Sequence, residues 1–220
     1  MKKLAFIAVL SSFASVVCAS DFSLETLKAG DIGVKAEAAV APAPAAPLKE
    51  EAQVPQDLIN RFNAVKSELW RLDSDTTWLR SDIDQLESTA RRIVQSNTAD
   101  HFFQNDLQRM SWDMTRYNDT AQRIRSEVKS LLTSAQKDSG LNTAARDMAW
   151  ETRTLLNRAQ FDIENSAQRL EWTVRGAKPE LVGYNAQWSA MDISRYSRDF
   201  TWKVRDISYD IQTLISATQP

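Results

Sequence analysis

From Pro55 to the end of the 220-residue chain, apolar residues return at alternating steps of four and three. The first run is Leu58, Phe62, Val65, Leu69, Leu72, Thr76, Leu79, Ile83, Leu86, Ala90 and Ile93, with no slip in the alternation. An α-helix turns about 100° per residue, so this spacing lays one apolar seam along a single continuous helix. The second run is Phe103, Leu107, Met110, Met114, Tyr117, Ala121, Ile124, Val128, Leu131 and Ala135. The last is Ala186, Ala190, Ile193, Ser197, Phe200, Val204, Ile207, Ile211 and Leu214. Between them Leu141, Ala145, Met148, Thr152, Leu155 and Ala159 continue to Ile163, Ala167, Leu170 and Val174. The extra four-residue step at Ile163 predicts a local shift of register.

Past Pro55 the only prolines are Pro179 and Pro220, so little in the covalent chain opposes long helices. The breaks fall where the runs end. Asn97-Thr98-Ala99-Asp100 offers a cap, Ser139-Gly140 a stop with Asn142 as a new cap, and Gly176 with Pro179 a third break. The spacing predicts helices over about 55–96, 100–136, 142–175 and 179–217. Short links make sequential helices antiparallel neighbours. The expected fold is therefore all-α: an up-down-up-down antiparallel four-helix bundle of long helices preceded by a disordered leader. A pair of hairpins completed by dimerisation is the alternative.

The N-terminal segment has a different character. Lys2 and Lys3 precede an apolar run from Leu4 to Val17, followed by Val17-Cys18-Ala19-Ser20. This is the layout of a signal peptide spanning 1–19, with cleavage between Ala19 and Ser20, and it implies a periplasmic or secreted protein. Lipidation of Cys18 is the rival reading, disfavoured because Val17 stands where a small residue is wanted. Residues 20–54 contain Pro42, Pro44 and Pro47 among alanines and read as a flexible Ala/Pro-rich tether. Cys18 is the only cysteine, so its removal leaves no disulfide or thiolate chemistry.

Losing Lys2 and Lys3 takes the net charge from −2 to −4, which gives no basic excess for nucleic acid. No later stretch is apolar and long enough to span a membrane. His101 is the only histidine, and no Cys-x-x-Cys-His, Glu-x-x-His pair, glycine-rich phosphate loop or nucleophile–base motif occurs. Neither a catalytic residue nor a metal or cofactor site is expected, and the chain reads as non-enzymatic. Asp82, Asp192 and Asp206, each one turn after a tryptophan, read as partners of nearby arginines.

The seven tryptophans avoid every seam. With the seam positions called a and d, Trp112, Trp150, Trp172, Trp188 and Trp202 fall on f, the position pointing most directly outward. Trp70 and Trp78 fall on the adjacent b and c. Arginines stand one helical turn to either side in Arg109-Trp112-Arg116, Arg146-Trp150-Arg153, Arg169-Trp172-Arg175 and Arg198-Trp202-Arg205. Such spacing lets guanidinium groups cover the indoles. In the last helix Tyr184, Trp188, Met191, Arg195, Arg198, Trp202, Arg205 and Tyr209 form a second unbroken row opposite the seam.

Two readings of this row stand side by side. One is a solvated outer face stabilised by arginine; the other is a binding face, since Trp, Tyr, Met and Arg are the residues enriched at interfaces. On the second reading the chain is an exported structural or interaction protein of the cell envelope. It would act in self-assembly as a homo-oligomer or on another envelope protein. The alternatives are a binding module for an anionic ligand, polysaccharide or lipid headgroup at a membrane surface, and a small-molecule or haem carrier using His101 with Met110 or Met148.

Overall fold

The structure is a computed structural model and describes residues 55–220; the signal peptide, its cleavage point and the Ala/Pro-rich tether lie outside the described residues. Those residues are almost entirely helical, with no strand among them. The helices are α1 (Gln56–Ser96), α2 (Phe103–Ser134), α3 (Ser139–Asn157), α4 (Glu164–Arg175), α5 (Pro179–Val182) and α6 (Ala186–Ala217). Every seam residue is buried except Tyr117 and Ala135, which are half-buried, and together they form one continuous core.

A π-helical turn, Arg158–Ile163, joins α3 to α4 without a break in helical backbone. Its cause is visible in the spacing. Leu155, Ala159, Ile163 and Ala167 are separated by three consecutive four-residue steps, which in a regular α-helix would rotate the seam by about 120°. A π turn bonds i to i+5 and so takes up one extra residue. All four side chains are consequently fully buried.

Side-chain contacts fix which helices meet and in which direction. Arg61 bonds Ser130, Arg123 pairs with Glu68, and Tyr117 donates to the Asp75 carbonyl, so α1 and α2 run in opposite directions. Lys66 with Asp147, Arg158 with Asp73, and Arg169 with Asp84 and Glu87 set α1 parallel to α3 and α4. Asn118 with Tyr196 and Arg125 with Asp206 set α2 parallel to α6. Asn142 at one end and Gln187 at the other set α3 and α4 antiparallel to α6.

Here the structure departs from the expectation that sequential helices are neighbours, because α2 rests on α1 and α6 and has no comparable interface with α3. The connecting residues explain it. Ala135 and Asp138 are both extended, and four residues at about 3.3–3.6 Å each reach about 13 Å. That is the diagonal of a square of helices set about 8–10 Å apart. The Asp138 N–H, bonded to the Thr218 carbonyl at 3.3 Å, anchors the crossing to the end of α6.

The local signals at the breaks also act differently from expectation. Asn97 ends α1 in the left-handed conformation rather than capping α2. Asp138, not Asn142, caps α3, accepting from the Gly140 and Leu141 N–H groups. Asn142 is buried and donates to the Ile215 carbonyl at 2.9 Å and to Thr218 Oγ1 at 3.2 Å. The helix expected over 179–217 is interrupted after one turn: Gly183 has φ +98°, and the Gln104 side chain fills the space a Cβ would need.

Two buried side-chain oxygens have no hydrogen-bond partner among the described residues, Asp73 Oδ1 and Ser194 Oγ. Asp73 Oδ2 lies 3.0 Å from Arg158 Nη1 at the start of the π turn. Burial pushes the Asp73 carboxyl above the usual carboxylate range, and the opposing pull of Arg158 is the smaller effect.

Deleting Gln160 restores strict four-three spacing through Ile163, Ala167 and Leu170, so that variant should melt within a few degrees of the parent. Deleting Gln168, which throws Leu170 and Val174 off the core, should lower the Tm by more than about 10 °C in thermal circular dichroism. Because the folded Asp73 holds its proton more tightly than the unfolded one, its contribution to stability is present at low pH and lost as pH rises through its folded pKa. Relative to the parent, Asp73→Asn should therefore gain stability in urea denaturation as pH is raised from about 4 to about 7.

Candidate interaction surface

A side chain two residues from a seam position on both sides points away from the core; Trp112, Trp150, Trp172, Trp188 and Trp202 occupy such places, and Trp70 and Trp78 stand one and two residues from the seam positions that flank them. All seven are between 59% and 73% exposed. The α6 row Trp188, Met191, Arg195, Arg198, Trp202, Arg205 and Tyr209 is exposed as well, and so is Tyr184, which the break at Gly183 leaves in the link before α6 rather than on the helix. The arginines Arg109, Arg116, Arg146, Arg153, Arg169 and Arg175 around Trp112, Trp150 and Trp172 are exposed too.

The structure does not bring guanidinium and indole together everywhere that the spacing permits. Arg205 lies 4.5 Å from the centre of the Trp202 ring and Arg175 5.8 Å from that of Trp172. Elsewhere carboxylates capture the arginines: Arg109 pairs with Asp106, Arg116 with Asp113, and Arg169 with Asp84 and Glu87. Exposed ion pairs and exposed cation–π contacts are each worth about 1 kcal/mol or less, so neither excludes the other, and Arg175 both pairs with Glu171 and lies over Trp172. Arg195 bonds the Tyr196 hydroxyl, lies 4.8 Å from that ring and pairs with Asp192. The hydroxyl bond and then Asp192 raise its pKa further. Asp206 pairs with Arg125, while Asp82 has no cationic partner among the described residues.

Six arginines pair with no carboxylate among the described residues: Arg71, Arg92, Arg146, Arg153, Arg198 and Arg205. All but Arg92 stand beside Trp70, Trp150 or Trp202. Sequence spacing treats all these Trp/Arg clusters alike. What separates them is which acids a neighbouring helix presents, and that is fixed only by packing. Spacing also misses Phe102 in the α1–α2 link and Phe161 on the π turn, two further exposed aromatics.

The surface between helices is shallow. A depression of about 420 Å3 between α1 and α3 is lined by Lys66, Ser67, Trp70, Arg71 and Glu151. A groove of about 230 Å3 between α1 and α2 is lined by Glu68, Asp75, Arg116, Tyr117 and Arg123, among others. The Tyr117 hydroxyl is pushed above its ordinary pKa, first by burial and then by Asp75. His101 is exposed in the α1–α2 link, whereas Met110 and Met148 are buried in the seams. No group of three His, Cys, Asp or Glu able to hold a metal ion converges among the described residues. No described helix is long and apolar enough to cross a membrane.

Compared with family models, curated proteins and solved structures, the chain matches none of them.

Indoles this exposed should emit as hydrated tryptophan and be quenched by acrylamide with nearly the efficiency of free indole. Quenching that leaves most of the emission untouched would contradict their outward placement.

Proposed function

We propose that this chain is an exported, non-enzymatic interaction protein of the cell envelope, acting through its outward Trp/Arg surface in self-assembly or on another envelope protein. The observation that carries this reading is the exposure of all seven tryptophans on a molecule whose core is complete without them. Large aromatic side chains left in water on several helices raise the free energy of the lone molecule, and contact with a partner recovers it. In this reading the long helices close as an up-down-up-down bundle. The opposed contacts of α1 with α2 and of α3 with α6 support it. The Lys2–Ser20 segment supports export, and the Ala/Pro-rich segment then serves as a tether.

The far end of the helices offers the clearest place to test self-contact, because there Trp112, Trp172 and Trp188 neighbour arginines already satisfied by acids. Light scattering of the purified chain should report a mass above the monomer that rises with concentration. The combined substitution of Trp112, Trp172 and Trp188 by Ala should return it to the monomer without changing the helical spectrum. A strict monomer that the triple variant leaves unchanged, with no retention of other envelope proteins, would end this reading.

A further inference from the structure

Trp70, Trp150 and Trp202 occupy one level of the molecule. Lys66 and Asp147 meet at 2.6 Å on parallel helices, and Trp70 and Trp150 follow them by four and three residues. Asn142 meets the Ile215 carbonyl on antiparallel helices, so Trp150 lies eight residues from that contact and Trp202 thirteen. At 1.5 Å per residue the offset is about 8 Å, little more than one turn. Since α3 packs on both α1 and α6, the three indoles form a belt across three adjacent helices. The depression between α1 and α3 holds Trp70 and, from α3, Glu151, the residue after Trp150.

The five arginines without a carboxylate partner that flank these indoles set the belt apart from the rest of the surface. Arg71 stands beside Trp70, Arg146 and Arg153 lie one turn either side of Trp150, and Arg198 and Arg205 do the same for Trp202. The acids without an ion-pair partner at this level are Asp75, Glu151 and Asp199, fewer than the five arginines, so the belt is locally cationic on a chain of net charge −2. At the other end the corresponding arginines are neutralised by Asp84, Glu87, Asp106, Asp113, Glu171 and Asp192.

We propose that this belt binds a strand of acidic polysaccharide, which rests on the exported, interacting character proposed above and adds a non-protein partner to the contacts named there. Sugar rings offer C–H groups that suit the negative face of an indole. Their carboxylate or phosphate substituents suit the planar fork of arginine, which pairs two oxygens at once. Shape decides against a lipid surface: α1 and α6 both pack on α3 and have no comparable interface with each other, so the belt turns a corner that a flat bilayer cannot follow. A flexible strand can. Charge decides against nucleic acid, because the acidic excess elsewhere repels a denser polyanion.

The test is titration of the full chain with an oligogalacturonate octamer at low salt, followed by tryptophan emission. Emission should change saturably, and the response should weaken as salt is added. Neutral cello-oligosaccharide should give a much smaller response. The Arg153→Gln/Arg205→Gln double variant should weaken binding by about tenfold or more, as should Trp202→Ala, while Arg109→Gln/Arg116→Gln leaves it unchanged. All these positions are exposed, so an unaltered thermal melt confirms folding in each case. No response to the octamer overturns the proposal, as does equal weakening by the Arg109/Arg116 control. A response confined to phosphatidylglycerol vesicles or to a single-stranded oligonucleotide likewise overturns it. If the octamer fails while light scattering still shows Trp-dependent self-association, the belt assignment falls and the interaction reading stands.

Discussion

The structure depends on an apolar row that keeps step with the helix over nearly ten turns in α1 and about eight in α6. Because that row is narrow, each helix commits one side to the core and leaves the opposite side to water. The identity of the outward residues is then free of the demands of folding. This separation is what makes tryptophan at those places informative: the core is complete from aliphatic, alanine and phenylalanine side chains without any indole.

Aliphatic seams alone pack in many ways, and the polar residues at their margins select one. Asn118 donates to carbonyls of both α2 and α6 and accepts from Lys203 at 3.0 Å, which fixes the register of that pair. Glu87 receives Arg91 from its own helix and Arg169 from α4. Asn142 ties the start of α3 to the end of α6. Each group is buried or nearly so and would lose a hydrogen bond if its helix slid by one turn, a loss of about 1–3 kcal/mol apiece.

The seams were legible in the sequence because period and burial are the same fact seen from two sides: a residue that recurs with the helix must face what the helix faces. The extra step at Ile163 was legible for the same reason, although spacing alone does not say that the helix widens into a π turn rather than unwinding. The outward direction of the tryptophans followed from the seams. The caps did not, because several short polar residues compete at each break and the winner depends on tertiary contacts. Asn142 was drawn away from capping by the Ile215 carbonyl, a partner more than seventy positions distant. The partition of arginines between indoles and acids was hidden likewise, since Arg169 meets its acids on α1.

The extended crossing from Ala135 to Asp138 has a consequence for how the molecule comes apart. It places α1 against α3 and α2 against α6, so each helix of the N-terminal pair is held by a helix of the C-terminal pair. Neither pair encloses its apolar row by itself. Melting either one strips the other of its cover in the same event, and the two halves of the chain behave as a single cooperative unit.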